Sequence, residues 1–207
     1  KINGLYTLRE EYSTAQLSIS AEVQKAALEA LNGRRGTIGV YNYQTGEILC
    51  AVTSPSYDPD NMPDVDSDTT GAYTGVYLNR FFDVTYTPGS IFKLVTAAAA
   101  IENIPDIDSQ SFQCNGSSII GGQKIVCEGV HGTIDFKNGL AHSCNNVFGD
   151  IAVQVGGKTL ERYAKKAGLT EALSCDGYTT AKGSVDLSGA DDGDVAWAGI
   201  GQYTDQV

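Results

Sequence analysis

The sequence predicts an α+β fold in which helices pack on an antiparallel sheet, and three observations point to it. Residues 37–43 and 47–53 are rich in Ile, Val and Tyr, and Gln44-Thr45-Gly46 turns between them, which predicts a hairpin. Residues 21–31 ahead of it predict a helix, with Ser20 as N-cap, Val23, Ala27 and Leu31 on one face, and Gly33 as the stop. Farther along, Val147, Ile151 and Val155 recur at helical spacing after Asn145, and the pattern ends at Gly156-Gly157.

Between these segments the chain reads as follows. Residues 17–20 predict a short strand leading into the first helix. Residues 54–68 predict a loop, punctuated by Pro55, Pro59 and Pro63. Within it, Asp64-Val65-Asp66-Ser67-Asp68 is similar to the start of a calcium loop. However, Thr69 stands where a glycine is needed and Gly75 where a bidentate acid is needed, so a solvated acidic loop is the better reading. Residues 104–138 read as polar turns and glycines, residues 160–167 as a helix stopped by Gly168, and residues 174–194 as loop. With no internal repeat and no dividing linker, residues 1–207 are expected to belong to one domain.

Composition narrows the function. The 207 residues are 42% hydrophobic and 19% charged, as in a globular protein. A net charge of −11 argues against nucleic acid and anionic membrane surfaces as partners. No apolar run reaches transmembrane length, and Lys1-Ile2-Asn3-Gly4 is not the start of a signal sequence, so any anchor is expected to lie outside these residues. The cysteines are Cys50, Cys114, Cys127, Cys144 and Cys175, with no C-x-x-C among them. Their spacing therefore points to neither zinc nor thioredoxin-like chemistry. His131 and His142 are too few for a histidine-rich site, so no metal and no cofactor is expected. An odd count leaves at least one thiol unpaired.

Two stretches carry chemistry. Tyr86-Thr87-Pro88-Gly89-Ser90-Ile91-Phe92-Lys93 predicts a helix start, since proline suits the first turn. Ser90 and Lys93 are three apart, so they share a face. The run from Leu94 through the alanines to Ile101 is apolar nearly all round, predicting a helix buried on most sides. Desolvation there would favour a neutral lysine, a base beside a nucleophilic hydroxyl. A bare S-x-x-K arises about once by chance in a chain of this length, and such a lysine usually reaches for solvent. The second stretch is Ala141-His142-Ser143-Cys144-Asn145-Asn146. Ser143 and Asn145 can point into one cleft, although both are also ordinary helix-start residues.

Together the two stretches resemble the transpeptidase domain of penicillin-binding proteins, which is marked by S-x-x-K, then S-x-N, then K-T-G. Ser90-Ile91-Phe92-Lys93 and Ser143-Cys144-Asn145 match the first two motifs in order. The resemblance extends to residues 43–51, to Ser54-Pro55-Ser56-Tyr57-Asp58-Pro59-Asp60, to Asn79-Arg80 and to Gly199-Ile200-Gly201-Gln202. It implies a peptidoglycan D,D-transpeptidase, in the cell envelope outside the cytoplasm. Ser90 would form an acyl-enzyme with D-alanyl-D-alanine stem peptides, and β-lactams would acylate the same residue. It further implies Lys93 as base, Ser143 as proton relay, and Asn145 as the residue that contacts the peptide and orients Lys93. The Ser90 N–H would form half of an oxyanion hole.

The third motif has no match, because Lys158-Thr159 is followed by Leu160. The resemblance therefore implies the larger, N-terminal part of one transpeptidase domain, with a sheet lacking its C-terminal strands. A continuation or second polypeptide would carry K-T-G, and turnover by these residues alone would not be expected. A β-lactam sensor, a serine β-lactamase or a non-catalytic scaffold domain stay open as alternatives. So does a bridge between Cys114 and Cys127, which an extracytoplasmic setting permits and the family does not require.

Overall fold

Ser20 opens the first described helix, α1 (Ala21–Leu31), its Oγ accepting the Val23 N–H at 3.4 Å. Asn32 closes the helix in the left-handed region, one residue before the predicted stop at Gly33. The hairpin follows as β1 (Gly36–Tyr41) and β2 (Ile48–Ser54), antiparallel, with Ile38 opposite Val52 and Val40 opposite Cys50. Helix α1 packs on it through Ala27, Val23 and Leu31 against Cys50, Val52 and Ile38. Residues 17–20 are not a strand: Ser18 Oγ–H donates to Ile48 O at 2.7 Å and the Ser20 N–H to Leu49 O at 2.9 Å. In the acidic loop Asp68 accepts from the N–H groups of Thr70, Gly71 and Tyr73, so its carboxylate organises a turn.

This computed structural model describes residues 16–175 and 177–207, and the chain forms two compact units, one ending at Asp83 and one spanning Val84–Val207. The second unit starts with a 3-10 turn, Gly89–Phe92, running straight into α2 (Lys93–Asn103). Next come β3 (Ser111–Ile120), β4 (Gln123–Asp135), α3 (Phe136–Ala141), α4 (Asn145–Val155) and α5 (Gly157–Lys166). The two-residue strands β5 (Ser174–Cys175) and β6 (Tyr178–Thr179) precede α6 (Asp192–Gly199). Helix α4 is the centre of this unit: Val147, Phe148, Ile151 and Ala152 are fully buried, and the helix touches α2, α6 and both strands of the β3–β4 hairpin. No helix among the described residues is long and apolar enough to cross a membrane.

Three expectations give way here. Residues 111–135 form a long antiparallel hairpin rather than turns. Their outward positions mix Ser, Gln, Asn and Lys with the exposed Ile119, Val126 and Val130, and two of the inward ones are cysteines, which blurs the strand pattern. Residues 192–199 are helical, so the stretch expected to be loop through residue 194 ends early, because Asp191 and Asp194 cap the first turn of α6 reciprocally. Finally, α2 buries Lys93, Thr96, Ala97, Ala99 and Ala100, but Leu94 and Ile101 are exposed, so the apolar run is wider than the face it packs.

The turn that carries Ser90 is tied to residues far along the chain. Gly89 N–H donates to Gly201 O at 2.9 Å, Thr96 Oγ–H to Gly199 O at 2.7 Å, and Tyr86 and Val207 exchange a pair of backbone bonds. Gly201 lies at φ +72°, and a Cβ there would stand 2.2 Å from Gly89 O. Gly201→Ala should therefore both strain its own backbone and push the Ser90 turn. Gly168→Ala, at φ +79° but facing open space, should cost only the left-handed penalty of about 1–2 kcal/mol. Urea unfolding of the two variants will show whether Gly201→Ala is the more costly. A second expectation concerns Asp205, fully buried, with neither carboxyl oxygen bonded. Burial pushes its pKa up to about 7. Its neutral form suits the fold, so stability is fullest below the ordinary aspartate pKa of about 4 and falls as pH rises towards 7. Asp205→Asn should flatten that decline in unfolding experiments run between these two pH values.

Candidate active site

Ser90 occupies the 3-10 turn, where residues three apart lie one above the other. Its hydroxyl is on the exposed side, while Lys93, the first residue of α2, is only 1% exposed. The Lys93 amine is 3.1 Å from Ser90 Oγ. Phe92, also 1% exposed, anchors the turn in the core between them.

The second motif arrives from the junction of α3 and α4. Ser143 N–H donates to Leu140 O at 3.0 Å and Cys144 N–H to Gly139 O at 2.8 Å, folding the chain back tightly. This holds Ser143 at φ +51°, a left-handed conformation that a serine keeps only where its surroundings insist. The carbonyl and hydroxyl of Ser143 thereby both face Lys93. Asn145, the first residue of α4, is aimed by β4: its Nδ2–H donates to Val126 O at 2.8 Å, leaving Oδ1 for the lysine.

The Lys93 amine thus lies 2.8 Å from Ser143 O, 2.9 Å from Ser143 Oγ and 2.7 Å from Asn145 Oδ1, besides Ser90 Oγ. Two of these oxygens, Ser143 O and Asn145 Oδ1, can only accept and so claim two N–H bonds. What remains of the amine lies between two hydroxyls. If it is a lone pair, it can take a proton from Ser90 or exchange one with Ser143. Burial pulls the Lys93 amine below the ordinary lysine value, against the opposing influence of Cys127, Cys144 and Glu128. All four residues singled out in the sequence, Ser90, Lys93, Ser143 and Asn145, therefore meet in one place.

A cluster that sequence spacing did not signal lies against the second motif. Sγ of Cys114, Cys127 and Cys144 and a ring nitrogen of His131 all lie within 4.8 Å of one another. The Cys114–Cys127 bridge is not formed, and both are free, buried thiols. The Asn145 N–H points at Cys127 Sγ from 3.4 Å. Burial opposes ionisation of Cys127, but the N–H groups of Asn145 and Gly129 still hold its thiol below the ordinary value. Only the alternation of β3 and β4, had it been legible, would have brought Cys114 and Cys127 together.

Similarity to known proteins agrees with this geometry. The chain is 29% identical to stage V sporulation protein D of Bacillus subtilis over 183 residues, 83% of this chain and 27% of that protein. It is 30% identical to the peptidoglycan D,D-transpeptidase PbpA of Mycolicibacterium smegmatis over 180 residues, 73% of this chain and 35% of that one. The chain therefore spans about a third of the length of such relatives. Its fold matches the penicillin G acyl-enzyme complex of penicillin-binding protein A from M. tuberculosis, with a TM-score of 0.80 and 22% identity, over 98% of this chain and 51% of that one. The family model of the penicillin binding protein transpeptidase domain matches residues 36–207. With both motifs on one buried lysine and this match along most of its length, the chain belongs to the penicillin-binding protein transpeptidase family.

Proposed function

We propose that these residues are the larger part of a single peptidoglycan D,D-transpeptidase domain and carry its acylating machinery. One observation supports this reading above all: a buried lysine amine within hydrogen-bond reach of Ser90, Ser143 and Asn145. In the proposed reaction Lys93, neutral, takes the Ser90 proton as Oγ attacks the carbonyl between the two D-alanines of a stem peptide. The oxyanion forms against the Ser90 N–H at the start of the turn. Ser143 Oγ–H then passes a proton to the departing D-alanine amine and is recharged from Lys93. Asn145 fixes Lys93 and offers its amide to the peptide. An amine of a neighbouring strand releases the acyl group and forms the cross-link. A β-lactam acylates Ser90 in the same way but keeps its leaving group tethered.

In this reading a segment carrying K-T-G, from a continuation or a second polypeptide, supplies the other half of the oxyanion hole and lines the cleft. The setting is the cell envelope, outside the cytoplasm, where peptidoglycan is found. The relatives named as D,D-transpeptidases and the penicillin G acyl-enzyme of the structural neighbour support the same assignment.

The test is fluorescent penicillin on a complete domain containing this chain, read by intact mass and peptide mapping. A single adduct is expected on Ser90, and none in Ser90→Ala. Lys93→Met should fold and slow acylation by about 10²–10⁴-fold, the usual worth of a general base. Acylation should rise with pH and level off below the ordinary lysine pKa, since burial pulls the Lys93 value down. An adduct that persists in Ser90→Ala, or a rate indifferent to Lys93→Met, would remove these roles.

A further inference from the structure

The β4 strand swells where it passes the second motif. Between the pairs Asn115–Val130 and Ser117–Val126, β3 advances two residues while β4 advances four, so Cys127, Glu128 and Gly129 fall outside the ladder. Bulges of this kind re-aim side chains and gather beside active sites. The near end of this one is fastened to Asn145: Val126 O accepts its Nδ2–H at 2.8 Å, and Cys127 Sγ lies 3.4 Å from its backbone N. Cys127 turns inwards and is buried, whereas Glu128, the next residue, is exposed. Burial is what lowers the Lys93 value most, and the Glu128 charge is among those that oppose it, so this side chain stands near enough to act on the amine.

Acylation as proposed above uses no carboxylate, and the neighbours of the Lys93 amine are Ser90, Ser143 and Asn145. Glu128 is instead placed to act on whatever approaches Ser90 from solvent. Two reactants do so in turn, and they differ in charge. The donor peptide ends in a carboxylate. The acceptor is an amine, cationic in water and cationic again as its nitrogen bonds to the acyl carbon. A carboxylate nearby stabilises the acceptor and not the donor. Along the strand Glu128 is flanked by Val126 and Val130, apolar and 53% and 72% exposed. An acid between two valines suits an aliphatic chain that ends in an ammonium.

We propose that Glu128 selects the acceptor, favouring an amine at the end of an aliphatic side chain with no free carboxylate on the same carbon. In aminolysis the nitrogen lone pair forms the C–N bond and the bond from the acyl carbon to Ser90 Oγ breaks. The proton lost by nitrogen passes through Lys93 to Ser90 Oγ. Glu128 makes and breaks no bond; it stabilises the positive charge on nitrogen until that proton leaves. A carboxylate beside the amine cancels this attraction, so the D-alanine just released, a zwitterion, is disfavoured as a returning acceptor. The inference rests on the Ser90 acyl-enzyme proposed above.

The test uses the complete protein, acylated by a D-alanyl thioester donor, with aminolysis and hydrolysis of the same acyl-enzyme read together by mass spectrometry. Lys93 serves both branches, so any change in its basicity cancels in their ratio. The acceptors are Nα-acetyl-lysine amide, a cation on an aliphatic chain, and D-alanine. Glu128→Gln should lower the ratio for the lysine amide about two- to fivefold, the range of an exposed charge pair, and Glu128→Lys should lower it further. Glu128→Asp should retain most of it, and the ratio for D-alanine should hold or rise in all three. Wild type gives a second reading without any variant: its preference for the lysine amide should shrink as salt is raised. Every variant should still form the fluorescent-penicillin adduct on Ser90, which reports a folded site. Equal lysine-amide ratios in wild type, Glu128→Gln and Glu128→Lys, an equal loss with both acceptors, or a preference indifferent to salt would overturn the selection while the acyl-enzyme stands. Wild type that forms no acyl-enzyme with any donor would overturn the proposed function and this inference together.

Discussion

A single amine organises the second unit. Burying the Lys93 side chain is unfavourable for the charged form and still costly for the neutral one unless its hydrogen-bonding capacity is met. Ser90, Ser143 and Asn145 meet it from two segments fifty residues apart. Each of those residues must then be held to within fractions of an ångström, and much of the surrounding fold does that holding. The Ser90 turn is hooked to Gly201, Ser143 is held in a left-handed turn by backbone bonds to the end of α3, and Asn145 is aimed by a carbonyl of β4.

The same geometry sets the chemistry. Two acceptor-only oxygens, Ser143 O and Asn145 Oδ1, define where the amine's hydrogens point, so its remaining valence is directed at hydroxyls. A lysine with one oxygen neighbour could rotate; this one has a single useful orientation. Desolvation and orientation thus act together, the first favouring loss of the proton and the second directing the lone pair.

The cysteine–histidine cluster extends this logic one shell outwards. Asn145 is bonded on one side to Lys93 and on the other, through its N–H, to a sulfur of the cluster. Cys144 belongs to the second motif and to the cluster at once. What would otherwise be a short turn between two helices is therefore supported by the β3–β4 hairpin through its backbone, its sulfur and the Asn145 amide.

Local sequence was enough for whatever depends on near neighbours. Ser20 as a cap, the β1–β2 hairpin and the periodicity of α4 are decided within a few residues, and all were legible. The α+β class followed from these. Ser90 and Lys93 are three apart, and Ser143 and Asn145 two apart, so each pair could be read as a unit, and the family resemblance joined them. What the sequence could not disclose were the features made by distant segments. The β3–β4 hairpin exposes Ile119, Val126 and Val130 among polar residues and has two cysteines among its inward positions, so its alternation does not resemble a typical strand pattern. The start of α6 resembles a loop because its aspartates are caps, and capping residues are turn formers until a helix follows them. The cysteine cluster draws on two strands and a helix start, with a bulge that folds Cys127 onto His131. No linear spacing encodes such a meeting, because it exists only once β3 pairs with β4 and α4 packs across them.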